Sequence, residues 1–260
     1  MMRRILPALD GLMVAGLGLY MLELILGGTY RLLMNPKFQL LTGATAVALC
    51  LAGIVVALAP AGRSDPLRTV AFAALSALLM ATGFAQLQRP PAFALAPPAA
   101  VETISPTLHR DGRAYTKTNP VRLVFQLMAS EKPRDIVTRG VVRRSPQLDR
   151  EGLFALFRVN MVCCLADAVA VGVIVKPEAD MRPRDGQWVA VFGSTEELAA
   201  PSAASDVSGV EEIPYSVLYN RALVRAEFIS AIEKPYFPYV FELPPSGGKA
   251  PRLSGEDDDY

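Results

Sequence analysis

Three long apolar runs lie before residue 90, while most charged residues come after it, so one chain holds two kinds of material. Hydrophobic residues make up 52% of the 260 and the net charge is +1, too apolar for an ordinary soluble domain. The division predicts an N-terminal membrane part, residues 1–88, and a water-exposed part beyond it.

A helix rising 1.5 Å per residue needs about 20 apolar residues to cross a hydrocarbon core of about 30 Å. Residues 5–27, 38–60 and 69–87 each approach that length, so about three transmembrane helices are expected. Arg3 and Arg4 before the first run suggest a signal peptide. The run is longer than a signal h-region, however, and no small-x-small site with polar sequence follows it, so a retained helix is expected. With the N-terminus inside, Arg3, Arg4, Arg63 and Arg68 lie in the cytoplasm, and three spans place everything after residue 90 on the outer side of a cytoplasmic membrane. Gly11 with Ala15, and Ala73 with Ala77 and Ala81, form small-residue stripes of the kind that pack helices in lipid. Asp10 and Glu23 lie near the ends of the first run, where their carboxylates would reach the headgroups. Cys50 reads as a small packing residue.

Residues 89–118, rich in proline and alanine, read as a partly extended linker containing His109, the single histidine. Asn119-Pro120 then opens a short helix, with asparagine as N-cap and proline at the first helical position. Five stretches rich in β-branched and aromatic residues follow at 135–144, 152–162, 168–177, 187–197 and 222–234, separated by turn signals such as Ser145-Pro146 and Asp185-Gly186. The expected fold for residues 119–245 is an all-β, OB-like small barrel, with a small β-sandwich as the alternative. Residues 246–260 carry "GEDDDY" and read as a disordered acidic tail.

"CCLADA" falls between the second and third expected strands, and Cys163, Cys164 and Asp167 offer two thiolates and a carboxylate to a metal ion. Zinc sites place two to four residues between paired cysteines, and adjacent ones seldom point the same way. In the other reading the cysteines pack under the barrel and Asp167 caps a turn. Nucleophilic catalysis would need a base within reach, and the domain holds no histidine. "PSGGKAPRL" lacks the spacing of a phosphate-binding loop. No dense basic run marks a nucleic-acid surface, so no nucleic-acid partner and no enzymatic activity are expected.

"FRVNMVCCLADAVAVGVIV" with "GQWVAVFGS" and "ISAIEKPYFPYVF", after N-terminal membrane spans, resembles the YcgQ-like family of two-component permease subunits. Arg158, Cys163, Cys164, Ala166, Asp167 and Ala168 carry the specific pattern, supported by Trp188-Val189 and Pro235 to Tyr239. The resemblance implies an accessory role beside a larger multi-span permease of the YraQ type. Related permeases are connected with metal and metalloid handling, which raises the thiolate reading. Three functions follow as alternatives: a non-enzymatic permease subunit, a module that captures a soft metal or metalloid ion for delivery to the permease, and a membrane-bound thiol oxidoreductase. The last lacks the C-x-x-C spacing of redox dithiols. Pairing of Arg158 with Asp167 across the turn would support either of the first two.

Overall fold

The computed structural model describes residues 2–58, 107–178, 181–199, 210, 213, 215–235 and 237–242, with side chains from residue 8 onward. The chain divides into two compact units, Met1–Pro98 and Ala99–Tyr260.

In the first unit, helix α1 (Met2–Leu26) is followed by one helical turn, α2 (Tyr30–Leu33), and by α3 (Gln39–Leu58). The segments Ala8–Leu26 and Pro36–Leu58 are long and apolar enough to cross a membrane. The expected third span at 69–87 lies outside the described residues. Between the helices, Asn35 accepts the Lys37 N–H at 3.0 Å and Tyr30 shares a hydrogen bond of 2.8 Å with Thr42.

Small residues let α1 and α3 touch backbone to backbone. A Cβ added at Gly53 would stand 2.5 Å from both the Ala15 nitrogen and the Gly11 carbonyl oxygen. The Gly11/Ala15 stripe therefore packs against a helix of its own chain, and the Cys50 thiol donates to the Ala15 carbonyl at 3.7 Å as part of the same seam. Leu12, Leu19, Leu40 and Leu58 stay exposed on the outside of the pair, as lipid contact would require. The structure corrects the reading of Asp10: its carboxylate does not extend outward but is packed at 4% exposure, whereas Glu23 is exposed.

The second unit is built on a five-strand barrel. Strands β3 (Ile136–Arg143), β4 (Phe154–Asn160), β5 (Val169–Pro177), β6 (Trp188–Glu197) and β7 (Ser216–Ala231) match the five expected stretches, with β7 starting earlier than expected. Neighbours run β3-β6-β7-β5-β4, and β4 pairs back with β3, so the sheet closes on itself instead of forming a sandwich. The β5–β7 pair is parallel and the other four pairs of the barrel are antiparallel. Alternation explains the core: Ala155, Phe157 and Val159 of β4 join one apolar cluster, while Phe154 and Leu156 join the other.

The second cluster is covered by helix α4 (Pro120–Met128), whose Leu123, Val124 and Leu127 join it together with Val173 and Val175 of β5. It starts as expected, with the Asn119 side chain accepting the Arg122 N–H at 2.9 Å. A short helix α5 (Pro146–Arg150), capped by Ser145, leads into β4. Gly172 makes room for a neighbour, since a Cβ there would lie 2.6 Å from the buried Phe157 ring.

The segment expected as linker is structured at its end. Residues 107–118 form a hairpin, β1 (Thr107–Arg110) and β2 (Arg113–Thr118), attached in parallel to β3. Asp111 and Gly112 take φ of 49° and 78°, the left-handed pair of a two-residue hairpin turn. His109 lies exposed on β1. Residues 89–106 and 246–260 lie outside the described residues.

A last short strand, β8 (Tyr239–Val240), runs parallel to the end of β4, and the buried Glu242 beyond it gathers three partners. Its carboxylate takes the Arg122 guanidinium at 2.5 Å and the Asn119 amide at 2.9 Å. Its backbone N–H and carbonyl exchange hydrogen bonds of 2.9 and 3.1 Å with the Asn160 side chain. The network ties α4, the end of β4 and β8 together.

Trp188, the single tryptophan, is buried and reports on barrel unfolding. Gly172→Ala is expected to lower stability by about 1–3 kcal/mol through overpacking against Phe157. Arg122→Leu, which leaves the Glu242 charge buried without its counter-ion, is expected to cost about 3–5 kcal/mol, and Arg122→Leu/Glu242→Leu less than that. Denaturant unfolding followed by Trp188 fluorescence checks all three, and equal losses in the Arg122 single and double variants would refute the network's electrostatic reading.

Candidate metal centre

Strands β4 and β5 pair from Phe154↔Val175 to Asn160↔Val169, so residues 161–168 form the loop at one end of that ladder. The loop is pinned at both ends. Met161 is buried and donates its N–H to the Val240 carbonyl at 2.9 Å. Leu165 packs against the core and Ala168 is buried. Residues Leu165–Asp167 make a single 3-10 turn, with the Asp167 N–H on the Cys164 carbonyl at 3.0 Å. Between these anchors Val162 and Cys163 are exposed and Cys164 is half-buried.

Asp167 closes the loop from within. One carboxylate oxygen accepts the Val162 N–H at 3.1 Å and the other accepts the Cys163 N–H at 2.7 Å. The Cys163 and Cys164 sulfurs are 3.4 Å apart. The ligand atoms of Cys163, Cys164 and Asp167 all lie within 4.8 Å of one another, so the three residues singled out in the sequence meet at one point. The exposure of Cys163 corrects the alternative in which both cysteines pack under the barrel, whereas Asp167 does cap the turn.

The charges of the loop are coupled. Burial favours the neutral form of Asp167, but hydrogen bonds from the Cys163 thiol and from the N–H groups of Cys163, Val162 and Cys164 outweigh it and hold the carboxyl below its ordinary range. The Cys163 thiol, bonded to the Asp167 carboxylate and to Cys164, is pushed up to about 12. It is therefore a protonated thiol at neutral pH, not an activated nucleophile. A soft cation that displaces the thiol proton would meet two sulfurs and one carboxylate, a donor set that suits soft ions better than hard ones.

Arg158, 1% exposed, is turned to other partners than the expected one. Its guanidinium carbon lies 4.9 Å from the centre of the Trp188 ring, and it donates to the Phe237 carbonyl at 3.3 Å. The Asp167 oxygens are meanwhile taken up by the loop N–H groups. Arg158, Trp188, Phe237 and Tyr239, far apart in the sequence, thus come together at β4.

Asn119, Arg122, Asn160 and Glu242 do not stand out as one group in the sequence, although they fix the strand from which the loop springs. Apart from Asn119 as helix cap, their local trace is a charged residue inside each of the apolar runs "PVRLVFQLM" and "YVFEL".

Because only the thiolate reacts with an alkylating reagent, Cys163 is expected to react slowly with iodoacetamide at pH 8 despite its exposure. A raised pKa means the thiolate fraction, and with it the rate, climbs about tenfold per pH unit until the pH reaches the pKa. Asp167→Asn removes the charge that holds the proton and is expected to speed the reaction. Mass-spectrometric alkylation rates across pH check this; a wild-type rate equal to that of a free thiol would refute it.

Residues 123–242 match the family model described as the DUF1980 C-terminal domain. No curated protein matches the chain. The matched stretch runs from Leu123 of α4 to Glu242, and so takes in the barrel, the cysteine loop and the C-terminal strap of β8 and Glu242 beside it. It is consistent with the YcgQ-like resemblance of the same residues.

Proposed function

We propose that this chain is a non-enzymatic, membrane-anchored accessory subunit of a larger permease, and that its OB-like barrel captures a soft metal or metalloid ion on the Cys163-Cys164 loop for transfer to that permease. The observation that carries the reading is the meeting of two thiols and a carboxylate on an exposed loop that is anchored at both ends. Two apolar helices support anchoring, and the YcgQ-like resemblance supports the permease as partner. With a third span at 69–87 and the N-terminus inside, the barrel would stand on the outer side of the cytoplasmic membrane, where it would meet incoming ions first. The raised Cys163 pKa disfavours redox catalysis, which needs a thiolate at neutral pH, and an ion captured there must first displace the thiol proton.

The full chain, purified in detergent, reduced and without oxygen, is expected to bind about one equivalent of Cd(II), and the Cys163→Ser/Cys164→Ser variant none. Isolation from native membranes is expected to bring along a large multi-span protein whether or not the cysteines are present. Equal metal content in wild type and double variant would sink the capture role; loss of the membrane partner in every preparation would sink the permease role.

A further inference from the structure

The candidate centre offers three donors, but they are not equally free. Both Asp167 oxygens already accept backbone N–H groups of the same loop, at 3.1 and 2.7 Å. These charge-assisted bonds shape the segment that presents the thiols. Each oxygen keeps a further lone pair, and the carboxylate also accepts the Cys163 thiol, but an ion that drew the carboxylate toward itself would lengthen the bonds to Val162 and Cys163 and slacken that segment. The sulfurs do not brace the loop in this way. Cys163 is exposed, and the two sulfurs stand 3.4 Å apart. With a metal–sulfur bond of about 2.3 Å, that separation spans an angle of about 95° at the metal, far from linear. An ion so held keeps open positions on the side away from the loop.

We propose, resting on the capture reading above, that the ion is held by the sulfurs of Cys163 and Cys164 alone, with its outward positions filled by an exchangeable ligand, and that Asp167 is a positioning residue, not a ligand. The arrangement is that of a transfer site. It selects thiophilic cations that accept two thiolates at a strongly bent angle, and it rejects hard cations, which need several oxygen donors. A receiving protein can add a soft ligand to the open side before the two cysteines let go, so the ion changes hands without passing through water.

The test uses the full chain in detergent with Cd(II) as probe, read by equilibrium affinity and by X-ray absorption, which counts sulfur neighbours. The Cys163→Ser/Cys164→Ser variant subtracts any ion held by Cys50. Two sulfur neighbours are expected in the wild type, rising to three or more on addition of a small monothiol while the ion stays bound. Asp167→Ala is expected to weaken binding about 10- to 100-fold, the usual effect of removing a group that orients a ligand, with the sulfur count unchanged. Asp167→Asn, whose amide oxygen still accepts a loop N–H, is expected to restore most of that loss. An Asp167→Asn variant no better than Asp167→Ala, together with loss of a short oxygen contact, would make Asp167 a ligand and overturn the inference while leaving the capture reading intact. A wild type that binds no Cd(II) would overturn both.

Discussion

The Arg122–Glu242 pair is the constraint on which the working end of the barrel depends. Two charges drawn out of water are stabilising only where geometry and further hydrogen bonds compensate the lost hydration. Here the guanidinium at 2.5 Å and the Asn119 amide at 2.9 Å share one carboxylate oxygen, while the backbone of Glu242 is clasped by Asn160. A hydrophobic pair of similar volume would fill the space as well, but it would not say which residue of the C-terminal strap lies beside which residue of β4. The network does, and the register Val159↔Tyr239 and Asn160↔Val240 follows from it. Met161, bonded to the Val240 carbonyl, then leaves the barrel in a fixed direction.

That direction matters because the cysteines follow just beyond Val162. A loop held by the buried Met161 and Ala168, and by Leu165 packed against the core, can place Cys163 in solvent without disturbing the core. Asp167 adds the internal brace, and by accepting a hydrogen bond from the thiol it also keeps an exposed cysteine quiet. An exposed thiol of ordinary pKa would be open to oxidation and alkylation. One protonated beside a carboxylate reacts slowly with such agents, yet still yields its proton to a cation that binds sulfur strongly enough.

The strands and the helix cap were legible in the sequence because they rest on local chemistry. Alternating apolar residues around Phe157 and Val173 can bury two faces only as strands, and Asn119-Pro120 places its cap and its first turn within four residues. The hairpin at 107–118 was hidden by composition: the proline- and alanine-rich stretch before it set the reading, although Asp111-Gly112 carries the left-handed turn on its own. The Glu242 network was not legible, because its members are far apart along the chain and no local pattern links Asn119 to a glutamate near the far end of the domain. The cysteine loop lay between these cases. Its residues could be named from spacing and family resemblance, but the outward turn of Cys163 depends on the buried anchors on either side of it.

Under the proposed function, anchoring and weak, open coordination belong together. A soluble carrier must hold its ion tightly, since it meets its receiver only by diffusion through bulk solvent, and a tight site releases slowly. Helices α1 and α3, packed through Gly11, Ala15 and Gly53 and lined outside with exposed leucines, would hold the barrel beside any receiver in the same membrane. Tethering replaces bulk concentration by an effective one set by the length of the connection, commonly in the millimolar range for short flexible links. A site of two thiolates with its outer side free gains from that arrangement. It needs only enough affinity to outlast a short search, and every ligand it lacks is a place for the receiver to take hold.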